Sequence, residues 1–486
     1  MYTLNEPRPR RPYKKKTASK AGALIFGLGL GAIVATVAIL IWVGIPNFSS
    51  RLENLPYYAR TYYRKLIPHP EYLPTPAPAA AVASSLNVSD AGEVSSSRLE
   101  SPGEATASDT GEAASVLSDP QEEPVSSESE AAAPSRPDLP EAAAGEAIPA
   151  ASGIAGESLS PEDNLLLPDE PATEISLAPV RYAVQLTGLT HQWQTWNNCG
   201  PATITMNMSY FGHAETQVDA AEFLKPNRDD KNVSPHELAA YARTVGNEAI
   251  VRQGGSLELL KELLSNDFPV LLETWLVHDG DGLGHYRLLT GYDEATGQFN
   301  TFDSLNGPDV IVDQAQLDTD WRVFNRLYIV VFPPEQAAVV AAIIGDDVDD
   351  TVLYERLVAE ARAEIAQNPN DAIATFNLGD ALTRLKRYGQ AVAAFDQARQ
   401  IGLHWRRLWY QFTPFEAYYA VERYQDVLDL SAATLNGAGG LEEAYYYHGL
   451  ALQATDQPGA ADDFEAAIAY NPHFTPAIDA LSALSN

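Results

Sequence analysis

His191–His213 reads HQWQTWNNCGPATITMNMSYFGH. Asn197 or Asn198 suits a helix N-cap, and Pro201 is tolerated in a first helical turn. Gly212 suits a C-terminal stop. The string therefore predicts a helix whose N-terminus carries Cys199, the single cysteine of the chain. Unpaired N–H groups and the helix dipole favour a thiolate there. Most lone cysteines are small buried hydrophobes. Placement beside a cap and ahead of Gly-Pro favours a nucleophile instead, and one cysteine permits no intrachain disulfide.

A nucleophilic thiol needs a base. Gly282–Ser304 reads GLGHYRLLTGYDEATGQFNTFDS, which predicts two strands around a turn at Asp293–Gly297. A hairpin centred near Ala295 sets Arg287 opposite Asp303. His285 then shares a face with Asp303 as its diagonal neighbour, roughly 7–8 Å away at the backbone and within side-chain reach. The carboxylate would orient the imidazole, and the imidazole would take the thiol proton. His278 is the second candidate base, without an obvious carboxylate partner. Asp279-Gly280-Asp281-Gly282 resembles part of a calcium loop but lacks the remaining ligands, and a glycine-rich loop ahead of His285 is expected there; no histidine–cysteine cluster has zinc spacing. No metal or cofactor is expected.

These two strings together resemble the bacteriocin-leader peptidase superfamily, papain-like cysteine peptidases of which some members process double-glycine leaders. The resemblance covers about Val180 to Pro334. It rests on the glutamine-containing approach to Cys199-Gly200-Pro201-Ala202 and on Gly284-His285-Tyr286 running into Gly291-Tyr292-Asp293. It implies an α+β papain-like domain with Cys199 as nucleophile, His285 as base and Asp303 as orienting residue. The family also places an oxyanion glutamine six residues ahead of the cysteine. Position 193 is Trp193 here, so Gln194 is the preferred donor and Gln192 the alternative. The backbone N–H of Cys199 would be the second donor.

The rest of the chain frames this domain. It has 486 residues and a formal net charge of −33, enough for about three domains and contrary to the basic footprint of a nucleic-acid binder. Residues 1–20 are basic. Residues 21–45, AGALIFGLGLGAIVATVAILIWVGI, carry no charge, and about 20 apolar residues suffice to cross a hydrocarbon core of roughly 30 Å. A signal anchor with a cytoplasmic N-terminus is expected, which puts everything beyond it outside the cytoplasm. A juxtamembrane segment, 46–74, leads into an acidic Ala/Ser/Glu/Pro linker, 75–179. That composition buries too little apolar surface to order itself, so the linker is expected to be disordered and dispensable for folding.

From about Asp350 to residue 486 the pattern is helical. Leu378, Gly379, Leu382, Ala391, Phe395 and Ala398 follow the spacing of a 34-residue helix–turn–helix repeat. Tyr445, Gly449, Ala460, Phe464, Ala467 and Pro472 follow it again, with a degenerate unit, Trp409 to Leu435, between them. The segment resembles tetratricopeptide repeats, an all-α solenoid whose groove commonly binds peptides or partner proteins; a structural cap on the 180–335 domain is the alternative. Together the parts imply a membrane-anchored extracytoplasmic cysteine peptidase with a peptide or protein substrate. A catalytically inactive peptide-binding scaffold, and an amidase or acyltransferase using the same three residues, are the alternatives.

Overall fold

The structure, a computed structural model, describes residues 71–76, 175–227, 229–278 and 281–484, with the side chains of His278 and Asp281 outside that description. All of these residues belong to one of the chain's two units; the other, 79–152, contains no described residue. The expected basic tail and membrane span lie outside the described residues. Within them, no helix is long and apolar enough to cross a membrane.

The first part of the described chain is α+β. A short strand β1 (Ala183–Gln185) precedes three helices, α1 (Cys199–Ser209), α2 (Gln217–Leu224) and α3 (Pro235–Thr244). Strand β2 (Glu248–Arg252), helix α4 (Leu257–Ser265) and strands β3 (Val270–His278), β4 (Asp281–Asp293), β5 (Gln298–Asp303) and β6 (Gly307–Asp313) follow. Helix α5 (Gln314–Trp321), strand β7 (Tyr328–Phe332) and helix α6 (Ala337–Ile344) complete it. The antiparallel sheet runs β2-β7-β3-β4-β5-β6, and β1 pairs the far end of β4. This fits the papain-like α+β class.

Sequence explains the sheet's centre. β7 is apolar and buried on both faces, whereas β5 alternates, burying Phe299, Thr301 and Asp303. One face packs α4 and α6 through Leu260, Leu263 and Val340; the other packs α1 and α3 through Ile204, Met206 and Leu238. Helix α1 is buried along most of its length, so the nucleophile candidate sits on an element held all round.

The C-terminal part is helical. It comprises α7 (Asp350–Gln367), α8 (Ala372–Arg384), α9 (Tyr388–Ile401), α10 (Thr413–Ala420), α11 (Tyr424–Ala438), α12 (Glu442–Ala454), α13 (Ala460–Tyr470) and α14 (Thr475–Leu484). Two glycines set the approach of paired helices. A Cβ on Gly379 would meet Phe395 Cε1 at 2.5 Å, and one on Gly449 would meet Phe464 Cε1 at 2.7 Å.

These helices pack directly on the α+β part. Gln253 Nε2 donates to Asp380 Oδ2 at 2.8 Å, Arg322 pairs with Glu364 and Asp371, and Asn471 Nδ2 donates to Glu237 Oε1 at 2.8 Å. Backbone approach is close as well: a Cβ on Gly254 would lie 2.5 Å from Leu357 Cδ2. A small pocket lies along this seam, walled by Glu273, Asp380 and Tyr410 among others. Neither Cys199 nor His285 lines it.

One sequence expectation needs correction. Gly282 lies in strand β4, paired with Val277 of β3, not in a loop, and Gly284 follows it in the same strand opposite Trp275. Glycine is required there by crowding: a Cβ on Gly282 would lie 2.1 Å from Trp275 Nε1. The described end of the juxtamembrane segment packs on the helical part. Leu73 N–H donates to the Leu403 carbonyl at 2.8 Å and Trp405 N–H donates to the Glu71 carbonyl at 3.2 Å. Arg399 Nε donates to the Pro74 carbonyl at 2.8 Å, and the Leu73 side chain is buried in the helical core. At the other end of the expected linker, Ala178 N–H donates to Asn266 Oδ1 at 2.8 Å.

Candidate active site

Helix α1 presents Cys199 at its first position. Asn198 occupies the N-cap position, but its side chain makes no capping bond; its Nδ2 donates to Thr195 Oγ1 at 2.9 Å. The turn ahead of the helix is instead braced from outside, where Lys225 Nζ donates to the carbonyls of Trp196 and Asn197 at 3.2 and 3.1 Å. Asn197 takes a left-handed φ of 51°, a conformation that asparagine tolerates better than most residues.

The hairpin supplies the opposite wall. Leu288 pairs with Phe302, so one step along the ladder Arg287 faces Asp303, and His285 lies diagonally. A bulge between Leu289 and Gly291 absorbs the extra residue nearer the turn. His285 Nε2 and Asp303 Oδ1 are 2.8 Å apart, and both residues are essentially sealed from solvent, at 1% and 0% exposure. The other ring nitrogen remains free of Asp303, and Cys199 is close enough to the imidazole for each to shift the other's titration. Cys199, His285 and Asp303 thus stand in one contiguous row.

Electrostatics follow from that row. Burial alone would push the Cys199 thiol up, but the adjacent His285 outweighs it and the thiol is held below its ordinary value, with Lys225 adding to the effect. Burial would lower His285; the Asp303 carboxylate and Cys199 reverse this and raise it to about 9. Burial would raise Asp303, yet His285 and the Asn306 and Leu305 donors hold it well below the carboxylate range. A thiolate–imidazolium pair is the charge state these shifts favour.

Sequence reasoning did not assign the groups that hold Asp303. Asn306 Nδ2 donates to Asp303 Oδ2 at 2.9 Å, and the N–H groups of Leu305 and Asn306 donate to Oδ1 at 2.8 and 3.0 Å. Arg287 Nε lies 3.4 Å from Asp303 Oδ2, and His191 Nε2 is 3.0 Å from the Asp303 carbonyl. Arg287 was foreshadowed by its register; His191 and Asn306 carry no signal until the loops that bear them are folded together.

The two glutamines separate clearly. Gln192 is fully committed elsewhere: its Nε2 donates to Thr205 Oγ1 and the Glu215 carbonyl, and its Oε1 accepts from Gln217 N–H. Trp193 turns outward, its ring against Gly307 and His191. Gln194 N–H donates to the Ser304 carbonyl at 2.8 Å, and its Oε1 accepts from the Ser304 hydroxyl at 2.7 Å. Its amide nitrogen makes no hydrogen bond to the described residues and is left as a donor. The arrangement can activate a thiol and orient its base.

Residues 178–329 match the Peptidase_C39 like family. That span takes in Cys199, His285, Asp303 and Gln194. Two solved structures are similar to this region. The peptidase domain of Streptococcus ComA, described as a bi-functional ABC transporter involved in a quorum sensing pathway, is 16% identical with a TM-score of 0.24, covering 30% of this chain and 99% of that one. A double glycine motif protease from an AMS/PCAT transporter, solved with its leader peptide, is 18% identical with a TM-score of 0.24, covering 31% of this chain and 94% of that one. No curated protein matches the chain. Among the described residues, no group of His, Cys, Asp and Glu is placed to hold a metal ion.

Proposed function

We propose that this chain is a cysteine peptidase that cleaves peptide bonds through Cys199, His285 and Asp303. The observation that carries the reading is the buried His285–Asp303 contact at 2.8 Å beside the thiol at the start of α1. The family match over residues 178–329 supports it.

In this reading the thiolate attacks the scissile carbonyl, forming a C–S bond while the carbonyl electrons move to oxygen. Gln194 Nε2 and the Cys199 N–H stabilise that oxyanion. His285 returns its proton to the leaving amine as the C–N bond breaks. Water, deprotonated by His285, then hydrolyses the thioester and restores the thiol. Asp303 stays ionised and orients the ring.

The apolar, uncharged run at 21–45 supports a membrane anchor, with the peptidase and the helical C-terminal part outside the cytoplasm. The paired helices with Gly379–Phe395 and Gly449–Phe464 contacts support a tetratricopeptide-like reading of that part, as a surface for a protein or peptide partner. The test is hydrolysis of a peptide mixture followed by mass spectrometry. Cleavage by the wild-type chain and none by Cys199→Ala is expected. Release of ammonia or acyl groups without backbone cleavage would point to amide or acyl transfer instead.

A further inference from the structure

Cys199 is delivered by a turn, Thr195–Asn198, closed where the Asn198 N–H donates to the Thr195 carbonyl at 3.3 Å. Trp196 and Asn197 are its central residues, and Asn197 holds a left-handed φ of 51°. A turn with positive φ at its third position differs from the common right-handed form by a flip of the central peptide. Here that peptide carries the Trp196 carbonyl. Asparagine tolerates the left-handed region, but the common form needs no such residue, so the flipped peptide must be held.

Lys225, directly after α2, holds it. Its Nζ donates to the Trp196 carbonyl at 3.2 Å and to the Asn197 carbonyl at 3.1 Å, and the residue is 4% exposed. Both central carbonyls thus accept from one buried ammonium, and charge-assisted bonds of this kind are roughly twice as strong as neutral ones. The rest of the turn is pinned by the same region of the chain. Thr195 N–H donates to Gln217 Oε1 at 2.7 Å, and Asn197 Nδ2 donates to the Asp230 carbonyl at 3.3 Å. Asp230 is buried, and the Lys225 charge stabilises its carboxylate. On its far side this region is tied to the C-terminal helices. Asn227 Nδ2 donates to the Ala469 carbonyl at 3.2 Å, and Asn471 Nδ2 reaches Glu237 in the first turn of α3.

We infer that Lys225 is a positioning residue, whose ammonium locks the Thr195–Asn198 turn in the form that presents Cys199. The peptide that follows the locked pair joins Asn198 to Cys199, and its N–H is the one that the proposed mechanism gives to the oxyanion. Losing the lock lets the Trp196 peptide flip, and the start of α1 moves with it. This inference rests on the reading of Cys199 as the reacting thiol.

The experiment follows two quantities in the full chain: hydrogen exchange at the Asn198 amide, and iodoacetamide alkylation of Cys199 from about pH 5 to pH 10, a range that brackets an ordinary thiol titration. Lys225→Met keeps the length of the side chain without its charge or donors. It is expected to speed exchange at Asn198 several-fold and to move the alkylation midpoint upward. Lys225→Arg, which keeps both charge and donors, should hold both quantities near wild type. A lowered melting temperature with either quantity unmoved in Lys225→Met would make Lys225 a merely structural residue and overturn the inference. Should Lys225→Met fail to fold, Lys225→Met with Asp230→Asn, which leaves neither buried charge behind, decides by the same two quantities. An ordinary thiol titration in the wild-type chain overturns the catalytic reading alone, and exchange at Asn198 then decides the lock.

Discussion

The Ser304 hydroxyl donates to Gln194 Oε1 at 2.7 Å, and Gln194 N–H donates back to the Ser304 carbonyl at 2.8 Å. Ser304 follows Asp303, so one short segment holds both the carboxylate behind His285 and the Gln194 amide. With Oε1 occupied by a donor, the Gln194 amide cannot flip without losing that bond, and in the proposed mechanism its N–H serves the oxyanion. Ser304→Ala is therefore expected to slow peptide hydrolysis on the order of tenfold, as a hydrogen bond worth about 1 kcal/mol predicts. Gln194→Ala should cost on the order of 10²–10³-fold in kcat. Neither should change the pH dependence of thiol alkylation, which depends on His285. A shifted alkylation profile in Ser304→Ala would mean that the serine acts on the triad instead.

The hairpin was legible in the sequence because the turn residues Asp293–Gly297 mark it, and Arg287 and Asp303 meet as a centre near Ala295 requires once the bulge between Leu289 and Gly291 has shifted the register set at the turn. The bonding of Gln192 was not, since it depends on Thr205, Glu215 and Gln217, which reach it only after α1 and α2 have packed. Gly282 read as part of a loop because its reason for being glycine, the ring of Trp275, lies on another strand. The docking of Leu73 was invisible for the same reason. A single leucine between polar and proline residues announces nothing until Leu403 and its neighbours offer it a pocket.

That docking carries its own prediction. Leu73 is 4% exposed in the core of the helical part, and truncating such a leucine costs about 2–5 kcal/mol where the site cannot collapse. Leu73→Ala should therefore release the segment, speeding limited proteolysis around residues 71–76. A chain beginning near Ala178 should melt below the full soluble part, contrary to the expectation that what precedes it is dispensable. Equal melting temperatures would show that the contact adds no stability.

Helix pairing in the C-terminal part is testable at its glycines. A Cβ on Gly379 or Gly449 would collide with Phe395 or Phe464, and overpacking of this kind costs about 1–3 kcal/mol. Gly449→Ala should lower the denaturation midpoint, and Gly449→Ala with Phe464→Leu should recover part of the loss. No destabilisation in the single variant would refute the close approach of α12 and α13.

A cluster of carboxylates gives the seam a pH dependence. Asn471 Nδ2 donates to Glu237 Oε1 and Glu442 Oε1 at 2.8 and 3.2 Å, with Asp230 and Glu443 nearby and Lys225 opposing them. Burial raises Asp230 to about 6 and, with the Asp230 charge, raises Glu237 to about 7; burial and these same neighbours raise Glu442 well above the carboxylate range. A carboxylate raised in the fold costs stability as pH climbs from its unfolded value to its folded one. Stability from this cluster should fall between about pH 4 and pH 7. Glu442→Gln should melt higher than wild type at about pH 8 and nearly equal to it at about pH 4. Equal melting at both would remove the cluster from the account.

The pH dependence of Cys199 alkylation by iodoacetamide tests the central claim most directly. His285 is raised to about 9 and the thiol is lowered by it. The imidazolium's contribution is present below the ordinary histidine value and lost as pH rises through about 9. The thiolate's is present above the ordinary thiol value and lost as pH falls through its lowered one. The ion pair thus spans the interval between the lowered thiol value and about 9. Alkylation should already be fast well below about pH 8.5, the ordinary thiol titration. His285→Ala should abolish that low-pH reactivity, and Asp303→Asn should weaken it. An ordinary thiol titration in the wild-type chain, unchanged in His285→Ala, would contradict the cysteine-peptidase account.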